Sequence, residues 1–268
     1  MNRRIRVNGI ELNVYIEGKG PDVLLVHGFP DSSDVWRKQI PALVDAGYRV
    51  IAPDMRGYGE SDAPIHRRDY RVDLLVADLV ALLDALGVDR VRLVAHDWGA
   101  AIAWLFCAAH PERVDRYVAL SVGHLNAYAG AGFEQKLKGW YVLFFQIPFV
   151  SELLLRACNW WLFRKWGGFD AEATRTIARL SRPGRLTAGI NYYRANIGLV
   201  FKTDWPKVKV PVLGLWSDGD KFLAESQMQK SRSFVEAPFR YERIEGANHW
   251  LQLAAPYQVN ALLLDYLR

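Results

Sequence analysis

The chain has 268 residues, about half of them apolar and a quarter charged, enough for one large domain with a substantial buried core. Its formal charge of +5 is spread along the sequence with no Lys/Arg run, which argues against a nucleic-acid partner. The most apolar window, 140–150, is too short to span a bilayer and contains Gln146 and Pro148, and the start lacks an apolar signal core; a cytoplasmic protein without a membrane partner is expected. Cys107 and Cys158 sit in apolar stretches at no metal-ligand spacing, and both are expected to be buried, reduced thiols.

Residues 4–16 alternate apolar and polar side chains around Asn8-Gly9, a strong hairpin signal. Val23-Leu24-Leu25-Val26 reads as a buried strand leading into His27-Gly28-Phe29-Pro30-Asp31. Val50-Ile51-Ala52 reads as another, followed by a turn from Pro53 to Gly59. Leu75, Leu79, Leu82, Leu83 and Leu86 recur at helical spacing, and Gly87 stops that helix. The apolar run from Val91 to Ala95 then enters His96-Asp97-Trp98-Gly99 and a helix ending near Pro111, and 117–120 forms the sixth strand. This alternation predicts an α/β fold with a mostly parallel central sheet flanked by helices.

From about Val122 to Pro206 the alternation stops. Helical patterns rich in aromatics take over, with Tyr141, Phe144, Phe145, Trp160, Trp161, Phe163 and Trp166, and no clear strand. The alternation resumes with an apolar strand ending at Trp216, a helix, a strand from Arg240 to Ile244 and a last helix to Arg268. The expected organisation is a core domain of residues 1–122 and 207–268 with an α-helical cap, residues 123–206, inserted after the sixth strand. Such a cap would cover the carboxyl edge of the sheet, where open α/β folds bind ligands.

The chemistry centres on Asp97, a polar residue at a strand-to-helix junction pinched by Ala95, Gly99 and Ala100. That spacing fits a nucleophile elbow carrying aspartate where serine is usual; an N-cap aspartate in an ordinary βα unit is the other reading. An aspartate there can attack carbon and form a covalent alkyl ester, and the helix N-terminus favours its charge. His249 follows Gly246-Ala247-Asn248 just beyond a strand, and an acid, Asp218 or Asp220, stands just beyond the strand that ends at Trp216. Nucleophile, acid and histidine in that chain order match the triads of α/β-hydrolases. The six histidines show no ligand spacing and no Gly-rich phosphate loop is present, so neither a metal nor a cofactor is expected.

With these residues in place, the chain resembles the α/β-hydrolase superfamily over nearly its full length, and within it the epoxide hydrolase family, the aspartate-nucleophile branch shared with haloalkane and fluoroacetate dehalogenases. The resemblance rests on His27-Gly28-Phe29-Pro30-Asp31, on the turn from Arg56 to Ser61, on His96-Asp97-Trp98-Gly99, and on Gly246-Ala247-Asn248-His249-Trp250. Two cap segments add to it: Tyr141 to Pro148, similar to a Y-x-x-x-F-Q-x-P pattern, and Ile190 to Arg194, similar to L-N-W-Y-R.

The resemblance implies an α/β-hydrolase fold, Asp97 as nucleophile and His249 as base. It selects Asp220 over Asp218 as the supporting acid, because Asp220 lies four residues beyond Trp216. It implies backbone N–H groups of Phe29 and Trp98 as the oxyanion hole, and Tyr141 and Tyr193 as donors to an epoxide oxygen, with Tyr192 the neighbouring alternative. Phe29, Trp98, Tyr141, Tyr193 and Trp250 would line the substrate site. The implied activity is opening of a small, apolar or aryl-substituted epoxide with water to a vicinal diol through an ester on Asp97, by a monomer or homodimer.

A dehalogenase is the alternative enzyme, although Phe29 stands where haloalkane dehalogenases carry Asn. Fluoroacetate dehalogenases want an acid near Ser121, and 121–133 contains no carboxylate. They also want a His-Trp pair where Tyr141-Val142 stands. A non-catalytic receptor of the same fold is the reading from another class, and it has no use for the set of Asp97, Asp220 and His249. His27 is expected to brace the oxyanion loop, His96 to have a surface or packing role, and Asp54 to organise its turn.

Overall fold

In the computed structural model, which describes residues 1–167 and 172–268, eight strands form one sheet. They are β1 (Asn2–Val7), β2 (Ile10–Glu17), β3 (Asp22–Val26), β4 (Arg49–Pro53), β5 (Val91–His96), β6 (Val114–Leu120), β7 (Val212–Gly219) and β8 (Phe239–Asn248). Their spatial order is β1-β2-β4-β3-β5-β6-β7-β8. Asn8 and Gly9 adopt φ of 42° and 80°, the twisted two-residue turn that an Asn-Gly pair favours, and it closes the β1–β2 hairpin. β2 joins β4 antiparallel, and from β4 through β8 every pairing is parallel.

Successive side chains on a strand point to opposite faces, so a strand buried along its whole length must be covered on both. Val23, Leu24, Leu25 and Val26 of β3 all have zero exposure, which is why this strand is a continuous apolar run rather than an alternating one. The helices Val72–Ala85 and Trp98–Ala109 pack on each other, and Ile40–Asp45 packs on Pro256–Tyr266. The five leucines expected on one helix face split as helical geometry requires: Leu75, Leu79, Leu82 and Leu83 are buried inside Val72–Ala85 and Leu86 caps it. No described helix is long and apolar enough to cross a membrane.

Between β6 and β7 the described residues form helices and no strand, among them Leu125–Ala129, Phe133–Lys138, Trp140–Phe144, Val150–Gly167, Ala173–Leu180 and Arg185–Ala195. The backbone of Val150–Gly167 breaks at Ala157, and Cys158, Asn159 and Trp160 have positive φ. Cys158 is exposed there, a correction to the buried thiol expected from its apolar neighbours; Cys107 is buried. Residues 168–171 and the side chain of Trp166 lie outside the described residues.

This helical segment is fastened to the sheet domain by polar contacts far apart in sequence. The Tyr192 hydroxyl donates to the Arg56 carbonyl at 2.7 Å, and the Asn196 amide donates to the Tyr70 carbonyl and accepts from the Val72 N–H, each at 2.8 Å. Arg182 pairs with Glu60, and the Lys138 ammonium donates to the Asp220 carbonyl at 2.7 Å.

Candidate active site

β5 ends at His96 and the next helix begins at Trp98, so Asp97 alone makes the reversal. Its φ of 53° and ψ of −125° lie outside the regions open to most residues, and such strain persists only where the surroundings enforce it. Two glycines make the turn possible. A Cβ on Gly99 would stand 2.3 Å from the Val26 carbonyl oxygen, and one on Gly28 would stand 2.4 Å from Asp97 Oδ1. Close packing of β3 and the elbow therefore brings the loop after β3 onto the carboxylate. The Phe29 N–H donates to Asp97 Oδ1 at 2.8 Å, and the Trp98 N–H also hydrogen-bonds the carboxylate.

The loop after β3 is itself held. His27 accepts the Met55 N–H at Nε2, 2.9 Å, leaving Nδ1–H to face the Gly28 carbonyl at 3.0 Å. Burial holds His27 down at about 4, so it stays neutral and braces the loop as expected. Asp54 accepts from the N–H groups of Ser33 and Glu60 and from the side chains of Ser33 and Asn13, so it organises its turn and the neighbouring one together.

β7 and β8 run further than their apolar stretches suggest, to Gly219 and Asn248, where the two residues pair across a bulge. Asp220 and His249 therefore emerge side by side. Asp220 Oδ2 lies 2.8 Å from His249 Nδ1, and Asp220 Oδ1 accepts the N–H groups of Phe222 and Leu223 at 2.8 and 3.0 Å. Asp218 is spent elsewhere: it accepts the Gly246 N–H at 2.8 Å and pairs with Arg243 at 3.5 Å. With Nδ1–H directed at Asp220, His249 Nε2 faces Asp97 Oδ2 at 3.5 Å.

All three side chains are buried. Burial alone would disfavour charge on His249, but the charge and hydrogen bond of Asp220, reinforced by Asp97, raise it to about 10. Burial also pushes the Asp97 carboxyl up; the hydrogen bond and charge of His249 and the Trp98 N–H outweigh it and hold Asp97 below the usual carboxylate range.

His96 is fully buried, which corrects the surface half of its expected surface or packing role. Burial keeps it neutral, down at about 3, with Nε2 2.9 Å from the His249 carbonyl. The Ser121 hydroxyl donates to the same carbonyl at 3.0 Å, so two side chains from neighbouring strand ends pin the His249 backbone.

Tyr141 and Tyr193 come from two helices of the inserted segment and meet over Asp97, their rings 5.8 Å apart and edge-to-face. Both line the two cavities that flank the carboxylate. The Tyr193 ring lies 5.1 Å from Trp98 and 5.6 Å from Phe29, and burial raises both phenols well above their ordinary pKa. Tyr192 points away, its hydroxyl bound to the Arg56 carbonyl. Trp250 lines the smaller cavity, its ring 4.9 Å from His249.

Two residues of this site escape the sequence reading. Asp31 accepts the Trp250 indole N–H at Oδ2, 2.9 Å, and so fixes the ring against His249; burial raises this carboxyl to about 7. Its place directly after His27-Gly28-Phe29-Pro30 was the available signal. Phe222 lies 5.1 Å from His249 and 5.6 Å from Tyr141, and nothing in its local sequence marks it.

Known proteins share this arrangement of elements. Residues 21–256 match the family model of the alpha/beta hydrolase fold. Epoxide hydrolase 3 of Xenopus tropicalis is 34% identical, over 99% of this chain and 77% of its own length. Epoxide hydrolase A of Mycobacterium tuberculosis is 33% identical, over 99% of this chain and 96% of its own. Among solved structures, epoxide hydrolase A from Mycobacterium thermoresistibile superposes with a TM-score of 0.85 at 32% identity, covering 100% of this chain and 98% of that one.

Proposed function

The chain belongs to the epoxide hydrolase family of the alpha/beta hydrolase fold, and we propose that it opens an epoxide with water to a vicinal diol through a covalent ester on Asp97. The observation that carries this reading is the position of Asp97, at a strained elbow, with His249 Nε2 3.5 Å away and two phenols lining the same cavities. A carboxylate nucleophile needs an electrophilic carbon, and an alkoxide leaving group needs acids beside it.

In this mechanism the helical segment acts as a cap that delivers the acids. Tyr141 and Tyr193 hydrogen-bond the epoxide oxygen while Asp97 Oδ2 attacks a ring carbon from the opposite side. The C–O bond breaks, one phenol gives its proton to the oxygen, and a hydroxyalkyl ester of Asp97 results.

Esterification removes the charge that helps hold His249 protonated. His249 then returns a proton to the phenolate and becomes a neutral base oriented by Asp220. It takes a proton from water, and the hydroxide attacks the ester carbonyl carbon. The Phe29 and Trp98 N–H groups hold the tetrahedral oxyanion, each worth ~3 kcal/mol as in other oxyanion holes. Collapse releases the diol and restores the Asp97 carboxylate opposite a protonated His249, so one water is consumed per epoxide and every proton is returned.

Product analysis tests the reading. Incubation with styrene oxide is expected to yield phenylethanediol, and incubation with 1-chlorobutane no chloride above background. Chloride release without diol formation would instead make the protein a dehalogenase.

A further inference from the structure

Asp97, Tyr141 and Tyr193 stand between two cavities of very unequal size. The larger, about 70 Å³, is walled by Trp98, Ala101, Leu125, Val142, Leu199 and Leu223. Asn196 also borders it but is occupied: it donates to the carbonyls of Tyr70 and Tyr192 and accepts the Val72 N–H. This side therefore offers an apolar wall and few polar partners to a ligand. Tyr128, Val142 and Val200 are shared with a third cavity of about 460 Å³, whose rim includes the exposed Lys136, Leu143 and Phe201. The larger side thus adjoins a cavity that has exposed residues at its rim.

The smaller cavity, about 10 Å³, lies on the other side of the carboxylate among Phe29, Pro30, Phe222, His249 and Trp250, all buried. That is room for the water His249 activates, and several-fold less than the larger side offers to an alkyl chain.

An epoxide held by both phenols through its oxygen directs the substituents of its two carbons to opposite sides of Asp97. We infer that the site is one-ended and selects terminal epoxides, with the unsubstituted carbon toward the small cavity and an extended apolar substituent in the large one. Phe222 is the specificity-determining residue: its ring closes the small cavity against His249 at 5.1 Å and Trp250 at 6.0 Å. This inference rests on the epoxide hydrolase reading above.

Initial rates of diol formation with 1,2-epoxyhexane and trans-2,3-epoxyhexane, which differ by the position of one methyl-sized group, test both together. The wild type is expected to favour the terminal epoxide at least ~100-fold in kcat/KM, the scale on which a closed apolar pocket discriminates by small groups. Phe222→Ala should narrow that ratio about tenfold or more, while Val200→Trp, on the opposite side, should lower the rate on 1,2-epoxyoctane relative to 1,2-epoxypropane. Comparable wild-type rates on the two epoxyhexanes, or a ratio untouched by Phe222→Ala, would overturn the one-ended site alone. No diol from either epoxide would overturn the hydrolase reading and this inference with it.

Discussion

His249 lies between two carboxylates in a buried site, and its protonation is therefore coupled to folding. The folded protein raises it from an ordinary 6.5 to about 10, chiefly through Asp220, against the cost of burial. Between those values the folded chain holds a proton that the unfolded chain has released. The stabilisation is fully present below about pH 6.5 and is lost as pH rises through about 10. Urea denaturation at pH 6 and pH 10 should show a loss of stability in the wild type that is smaller in His249→Gln; equal losses would contradict the coupling. In the proposed mechanism the two phenols act on one oxygen, so either alone would retain part of the effect. Tyr141→Phe and Tyr193→Phe are each expected to lower kcat/KM about 10- to 100-fold, and the double variant on the order of 10⁴-fold. Tyr192→Phe, which loses only a bond to the Arg56 carbonyl, should cost far less activity. At this scale Asp220 rather than Asp218 meets His249, and Tyr193 rather than Tyr192 lines the cavity, the member of each pair that motif spacing selects. Phe222 and Asp31 were less legible: nothing near Phe222 in sequence marks its contact with His249, and the motif that contains Asp31 does not reveal its partner, Trp250, 219 residues on.

The elbow is the element on which the site depends. Its positive φ at Asp97 is sustained where β3 and the start of the helix Trp98–Ala109 pack with only hydrogen atoms between Gly99 and the Val26 carbonyl. Gly99→Ala places a methyl 2.3 Å from that backbone oxygen, which cannot rotate away. The expected cost is ~2 kcal/mol of stability with a larger proportional loss of activity, since the elbow must shift to relieve the clash. Thermal denaturation alongside kcat would check this, and an unchanged melting temperature would contradict it. The small residues around Asp97 made this element readable from sequence. The ends of β7 and β8 were not: Ser217-Asp218-Gly219 and Gly246-Ala247-Asn248 look like loops, and only their pairing with each other makes them strand. The same holds for Cys158, where a local break in the helix turns an apolar-flanked thiol outward.

Over the whole molecule, the sheet contributes the carboxylate, the histidine and its partner, and the helical segment contributes the phenols. Neither part alone holds the whole proposed site. The succession of strands and helices along the chain and the helical interruption were legible, because alternation of apolar runs with amphipathic helices reports a parallel sheet directly. How the segment closes over the sheet was not, since it depends on contacts such as Asn196 with Tyr70 and Lys138 with Asp220, which span 126 and 82 residues. In the proposed mechanism the two parts converge on one intermediate, an ester on Asp97 that only a working His249 can discharge. The direct measurement is intact-protein mass spectrometry of His249→Gln mixed with styrene oxide, followed by peptide mapping. The expected result is a mass gain equal to one whole epoxide molecule, located on Asp97. An unmodified Asp97 in a variant that still folds and binds the epoxide, or rapid turnover by that variant, would contradict the two-step mechanism.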